Sequence, residues 1–103
     1  KLYIVNDQYR TPTFVYDIVG AISKIINNQK YGIYHISSGE RLSIYQIVCY
    51  IANYYGYGSD LINRVSSKEL NQIARRPIDS SLLIDKAITE LNFKPTTLLK
   101  LLK

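Results

Sequence analysis

Two stretches of this chain carry apolar residues at helical spacing, and each is preceded by a short run of β-formers. That alternation constrains the fold more than any other feature. Phe14, Ile18, Ala21, Ile22 and Ile25 recur on one face of a helix, with Tyr16, Ser23 and Asn27 opposite. The spacing predicts a helix over 14–27, ended by Asn27-Asn28. Ile44, Ile47, Val48, Ile51 and Tyr55 form a second such face over 44–55, with Gly56 as a natural stop. Ser43 and Gln46 have the spacing of a capping box. Thr13 is positioned to cap the first helix, and Asp17 lies one turn in, where the helix dipole favours negative charge. Tyr3-Ile4-Val5 reads as a strand closed by Asn6-Asp7, and the β-former run 31–36 (Tyr31-Gly32-Ile33-Tyr34-His35-Ile36) as another.

The last third is less regular. Leu61 to Val65 reads as a short strand, Ser66 to Leu70 as a helical turn, and Ser81 to Ile84 as strand or loop. Asp85 can cap a short helix through Leu91, and Thr96 a final turn carrying Leu98, Leu99, Leu101 and Leu102. A strand–helix–strand–helix order implies a small α/β layered domain, with two main helices packed on short strands. At 103 residues the chain is one domain, 1–103, with room for a modest core.

Composition excludes some function classes. No run approaches the roughly 18 apolar residues of a membrane span. Lys1 to Val5 is too short for a signal peptide, and the single cysteine, Cys49, allows no internal disulfide. A cytoplasmic location is expected. The net charge is +5, which favours anionic partners. Arg75-Arg76 is the only adjacent basic pair, and the ten tyrosines are scattered, so nucleic acid is not the expected ligand. There is no glycine-rich phosphate loop and no Cys/His cluster for a metal. Cys49 and His35 have no spacing that pairs them as nucleophile and base, and His35, flanked by apolar residues, reads as a structural histidine. No catalytic or metal-binding residue is assigned.

Two features remain. The loop Gln8-Tyr9-Arg10-Thr11-Pro12-Thr13 places an amide, a guanidinium and hydroxyls before a helix N-terminus. Arg75-Arg76-Pro77 offers bidentate donors on a stiffened backbone. Gln8, Arg10, Thr13, Arg75 and Arg76 are therefore the candidate binding residues. Arg10 and one of Arg75 or Arg76 are expected to meet at one pocket mouth, with Gln8 and Thr13 as polar orienters.

Taken in order, these pieces resemble the C-terminal substrate-binding portion of the dTDP-4-dehydrorhamnose reductase group of extended short-chain dehydrogenases. Residues 7–13 with Asp17 are similar to that family's DQxxxPTxxxD stretch, and 32–37 to its GIYHLS strand. Ser43 to Ile51 resembles the helix that follows, and Arg75-Arg76-Pro77 with the serines at 80 and 81, the leucines at 82 and 83 and Lys86 its RRPxxSxLxxxK stretch. Arg10 departs from the small residue common there. The resemblance implies a nucleotide-sugar substrate and a Rossmann domain that binds NAD(P)H. This chain lacks that domain's glycine-rich loop and Tyr-x-x-x-Lys pair. On its own the chain would then be non-catalytic, hold no cofactor, and expose surfaces that promote self-association. A non-catalytic regulatory module, like the regulatory subunit of methionine adenosyltransferase, is the alternative on the same fold. An unrelated basic binding domain is the other.

Overall fold

The computed structural model describes residues 2–102. In chain order the elements are β1 (Leu2–Val5), β2 (Tyr9–Arg10), α1 (Val15–Asn27), β3 (Leu42–Ser43) and α2 (Ile44–Tyr54). A 3-10 turn (Ser59–Leu61) leads into β4 (Ile62–Val65), α3 (Ser67–Leu70), α4 (Asp85–Leu91) and α5 (Leu98–Leu101). This is the small α/β architecture expected. Among the described residues no helix is long and apolar enough to cross a membrane.

The strands form two small sheets. β1 and β4 pair in parallel, Leu2 with Ile62 through Val5 with Val65. β2 and β3 pair antiparallel, Tyr9 with Ser43 and Arg10 with Leu42. A parallel pair needs a long crossover, and here the connection includes both main helices. Because both strands run the same way, the segments leaving Val5 and Val65 emerge side by side. That adjacency builds the site described below.

α1 packs on α4 through small side chains. Ala21 and Ala87 are fully buried and lie in a core cluster with Ile84, Leu91 and Phe93. Ile25, Tyr34 and Ile36 close its edge. Elsewhere Val5, Leu42 and Ile62 are buried. The turn between residues 36 and 42 is fixed by its serines. The hydroxyl of Ser37 accepts from the Gly39 N–H, and that of Ser38 from the Glu40 N–H, both at 3.1 Å. Gly39 has a φ of +71°, and a Cβ there would press on Ile84, so this turn requires glycine.

Several local expectations need correction. The N-cap of α1 is Phe14, with no side-chain cap. The Thr13 hydroxyl instead donates to the Thr11 carbonyl at 3.1 Å, so it is turned back into its own loop. Ile84, not Asp85, occupies the cap position of α4; of the two readings of Ser81 to Ile84, strand or loop, the structure shows the loop. The cap of α5 is Thr97, whose hydroxyl accepts from the Lys100 N–H. Thr96 does a different job: its N–H and hydroxyl both donate to the Asp17 carboxylate, at 2.6 and 2.9 Å. Asp17 thus ties the C-terminal segment to the first turn of α1.

The larger correction concerns residues 31–36, which form no strand. They keep the alternation of one, with Tyr34 and Ile36 turned to the core and Ile33 and His35 exposed. The Tyr34 hydroxyl donates to Glu90 at 2.9 Å and Lys86 donates to the Ile33 carbonyl at 2.9 Å. What is missing is a neighbouring strand among the described residues, and a lone extended segment cannot build a ladder. His35 is exposed, so it is not a buried structural histidine.

Candidate functional site

A cleft of about 460 Å³ opens at the carboxyl ends of β1 and β4. Asp7 and Gln8 supply one wall, Ser67 and Lys68 of α3 another, and Gln72, Arg75 and Arg76 the loop beyond. Open α/β folds place ligands at this position, outside the carboxyl ends of parallel strands.

The wall is organised around Gln8, which is fully buried. Its Nε2 donates to the Ser67 hydroxyl at 2.8 Å and to Gln72 Oε1 at 3.0 Å. Its Oε1 accepts from Arg10 Nη2 at 3.3 Å. Ser67 can accept from Gln8 because its own hydroxyl proton goes to Asp7 Oδ1, at 2.6 Å. The Ser67 N–H also points at the Asp7 carboxylate, 3.0 and 3.1 Å from its two oxygens. The Ser67 hydroxyl, then its backbone N–H, hold the Asp7 carboxyl below the usual carboxylate range. α3 is one turn long and stands because of a full capping box, Ser66 with Glu69.

The loop that carries the arginine pair is anchored just beyond it. Tyr9 N–H donates to the Ile78 carbonyl at 2.6 Å and Ser80 N–H to the Tyr9 carbonyl at 3.1 Å. The Arg41 guanidinium lies 3.9 Å above the Tyr9 ring and pairs with Asp79 at 2.9 Å. The Ser81 hydroxyl, the Ser81 N–H and then Arg41 bring the Asp79 carboxyl down to about 2. Arg75 and Arg76 are exposed and, among the described residues, neither is engaged by a side-chain hydrogen bond or ion pair. With Lys68 they give the cleft mouth three cations against one carboxylate, Asp7, whose oxygens are held by Ser67.

The structure therefore brings Gln8, Arg75 and Arg76 to one cleft. Arg10 is beside it, bonded to Gln8 and, through Nη1, to the Pro77 carbonyl at 3.2 Å. Thr13 stands apart, in a separate hollow with Phe14, Val15 and Leu98. Asp7, Ser67, Lys68 and Gln72 went unassigned in the sequence. Ser66-x-x-Glu69 is a legible capping signal, but only the parallel pairing shows that it leads to Gln8. A second cleft of about 350 Å³, lined by Leu2, Val48, Ile51, Tyr57, Leu61 and Ile62, is apolar throughout. It lacks the few convergent polar groups that orient a ligand. Among the described residues no group of three or more acidic, histidine or cysteine side chains is placed to hold a metal ion.

Comparison with known proteins agrees with this architecture. The chain is 30% identical over 95 residues to the spore coat polysaccharide biosynthesis protein SpsK of Bacillus subtilis (strain 168), covering 92% of this chain and 32% of that protein. The structure of dTDP-4-dehydrorhamnose reductase from Bacillus anthracis, solved in complex with NADP, superimposes with a TM-score of 0.79 at 27% identity. The match covers 92% of this chain and 33% of that one. The Clostridium acetobutylicum dTDP-4-dehydrorhamnose reductase shares the fold with a TM-score of 0.84 at 23% identity, covering 95% of this chain and 36% of that one. The chain thus spans about a third of the length of these relatives. All of residues 1–103 match the family described as the RmlD substrate binding domain, and the chain belongs to that family.

Proposed function

We propose that this chain is the substrate-binding portion of an NAD(P)-dependent nucleotide-sugar reductase or epimerase, and that it performs no chemistry by itself. The observation that carries this reading is the cationic cleft at the ends of β1 and β4, in a chain of this family. A pyrophosphate-linked sugar nucleotide is an anion, and two unpaired guanidinium groups with a lysine beside them suit it in charge and in bidentate geometry. Ser67 and Gln72, held from behind by the buried Gln8, form the wall against which it rests. The chain has five glycines and none in a G-x-G-x-x-G pattern, so we place the nicotinamide cofactor on the remainder of a longer polypeptide. When bound there the cofactor supplies the hydride. The residues of this chain bind and orient the sugar nucleotide. A cytoplasmic setting goes with this reading.

The exposed apolar stripe of α1 is where we place that remainder. Val15, Val19, Ile22 and Ile26 lie on one side of the helix and are all exposed. The unpaired segment 31–36 offers free backbone for a neighbouring sheet.

The test is binding of dTDP to the full-length protein. A charge-assisted contact sheltered from water is worth about 1.5–3 kcal/mol. Arg75→Ala or Arg76→Ala should therefore weaken dTDP roughly tenfold or more and leave NADPH affinity unchanged. A dTDP affinity unchanged from the unaltered protein in both variants would reduce the pair to a solvated turn.

A further inference from the structure

Arg10 is the one candidate binding residue whose guanidinium is already committed. Nη1 donates to the Tyr9 carbonyl at 2.7 Å and the Pro77 carbonyl at 3.2 Å, and Nη2 to Gln8 Oε1 at 3.3 Å. The first of these acceptors is local, but the other two lead to the cleft. Pro77 closes the loop that carries Arg75 and Arg76. Gln8 holds the start of the same loop, because its Nε2 donates to Gln72 Oε1 at 3.0 Å. One buried amide and the arginine two residues later therefore grip both ends of the segment 72–77.

Arg10 and Ser67 together fix which way the Gln8 amide faces. Ser67 has spent its proton on Asp7 and offers Gln8 only a lone pair. Gln72 presents an oxygen. Ser67 demands the NH₂ group, the Gln72 amide can turn to suit, and the guanidinium on the other side demands the carbonyl oxygen. A flipped amide would set its oxygen against the Ser67 lone pair on one side and N–H against N–H at Arg10 on the other. The fork of Arg10 reaches Pro77 and Gln8 together because it has two donor nitrogens in a fixed plane.

We infer that Arg10 is a positioning residue: it latches the 72–77 loop to Gln8, and so sets where Arg75 and Arg76 stand, without touching the ligand. The ligand part of this rests on the function proposed above. It separates two roles that charge alone does not. A residue that contacts phosphate as a cation tolerates lysine, whereas a fork between two acceptors does not.

The experiment compares Arg10→Lys and Arg10→Ala with the unaltered full-length protein. One readout is the rate at which trypsin cuts the Arg75–Arg76 bond, and the other is dTDP affinity across a salt series. Circular dichroism monitors folding, and the lysine variant, which keeps charge and length, serves if alanine unfolds the domain. The latch predicts faster cleavage at Arg75 in both variants. It predicts a loss of about tenfold in dTDP affinity for lysine as well as alanine, with a weaker salt dependence in both, because the displaced Arg75 and Arg76 no longer meet the phosphates. It also predicts little further loss when Arg10→Lys is added to the Arg75→Ala, Arg76→Ala pair, since a positioned group that is absent cannot be displaced. Cleavage at Arg75 as slow as in the unaltered protein, or full dTDP affinity in Arg10→Lys, overturns the latch. If the unaltered protein does not bind dTDP but cleavage still accelerates in Arg10→Lys, the latch stands and the nucleotide-sugar reading fails.

Discussion

Gln8 shows how much one side chain can hold when it is buried and fully satisfied. It makes three side-chain hydrogen bonds, to Ser67, Gln72 and Arg10, and its carbonyl accepts from the Ile44 N–H at 3.0 Å. Replacing the amide by an apolar group of similar size strands three polar partners at a closed wall. Gln8→Leu should cost about 1–3 kcal/mol of stability, the range for leaving buried donors and acceptors unmade. Urea unfolding measures it, and a loss below a few tenths of a kcal/mol would show that water replaces the amide freely. The sequence brought Gln8 forward for its place before a helix. It could not show that the donors and acceptors around it come from residues 67 and 72, which are 59 and 64 positions away.

The two main helices begin differently, although their sequences suggested the same device. At α2 the Ser43 hydroxyl accepts from the Gln46 N–H at 3.1 Å, and Gln46 Oε1 accepts from the Ser43 N–H at 2.9 Å. At α1 the Thr13 hydroxyl bonds within its own loop and the cap residue is Phe14. Ser43→Ala should therefore destabilise the domain by about 1 kcal/mol, the usual worth of an N-cap. Thr13→Ala should change stability by less than half of that. Thermal unfolding of the two variants side by side checks the contrast, and equal losses would contradict it. A capping box is local and is legible from its spacing. A lone threonine after proline has competing acceptors, and only the path of the loop decides between them.

The whole molecule is less compact than its length requires. Its accessible surface is 7494 Å², against about 6,000 Å² for a compact monomer of this mass. Its radius of gyration is 16.2 Å, against about 13 Å for a compact domain of this length. It is a plate only 18 Å thick, close to one layer of helix on one of strand. Large apolar side chains on α1 account for part of the excess surface, as does the segment holding Tyr31 and Ile33, exposed by 87% and 75%. The 103-residue chain expressed alone should self-associate through this face. Introducing Val19→Lys and Ile26→Lys should shift it toward monomer, while a pair such as Lys30→Ala and Lys94→Ala on polar surface should not. Light scattering across a concentration series decides, and a strict monomer before any substitution would refute the expectation.

The amphipathic periods of 14–27 and 44–55, the Ser43 capping box and the β-former runs at 3–5 and 61–65 were readable directly, because each depends on neighbours within a few residues. The pairing of Arg75 with Arg76 was equally plain. The tertiary structure alone decided that β1 and β4 run parallel, and hence that Asp7 and Gln8 bond to Ser67 and Gln72 in the lining of one cleft. It also decided that residues 31–36 remain unpaired. A strand is a relation between two segments, and β-propensity names only one of them. Helices satisfy their backbone within themselves, so this sequence specified them. Sheets and clefts take their partners from distant parts of the chain, and those only the fold could supply.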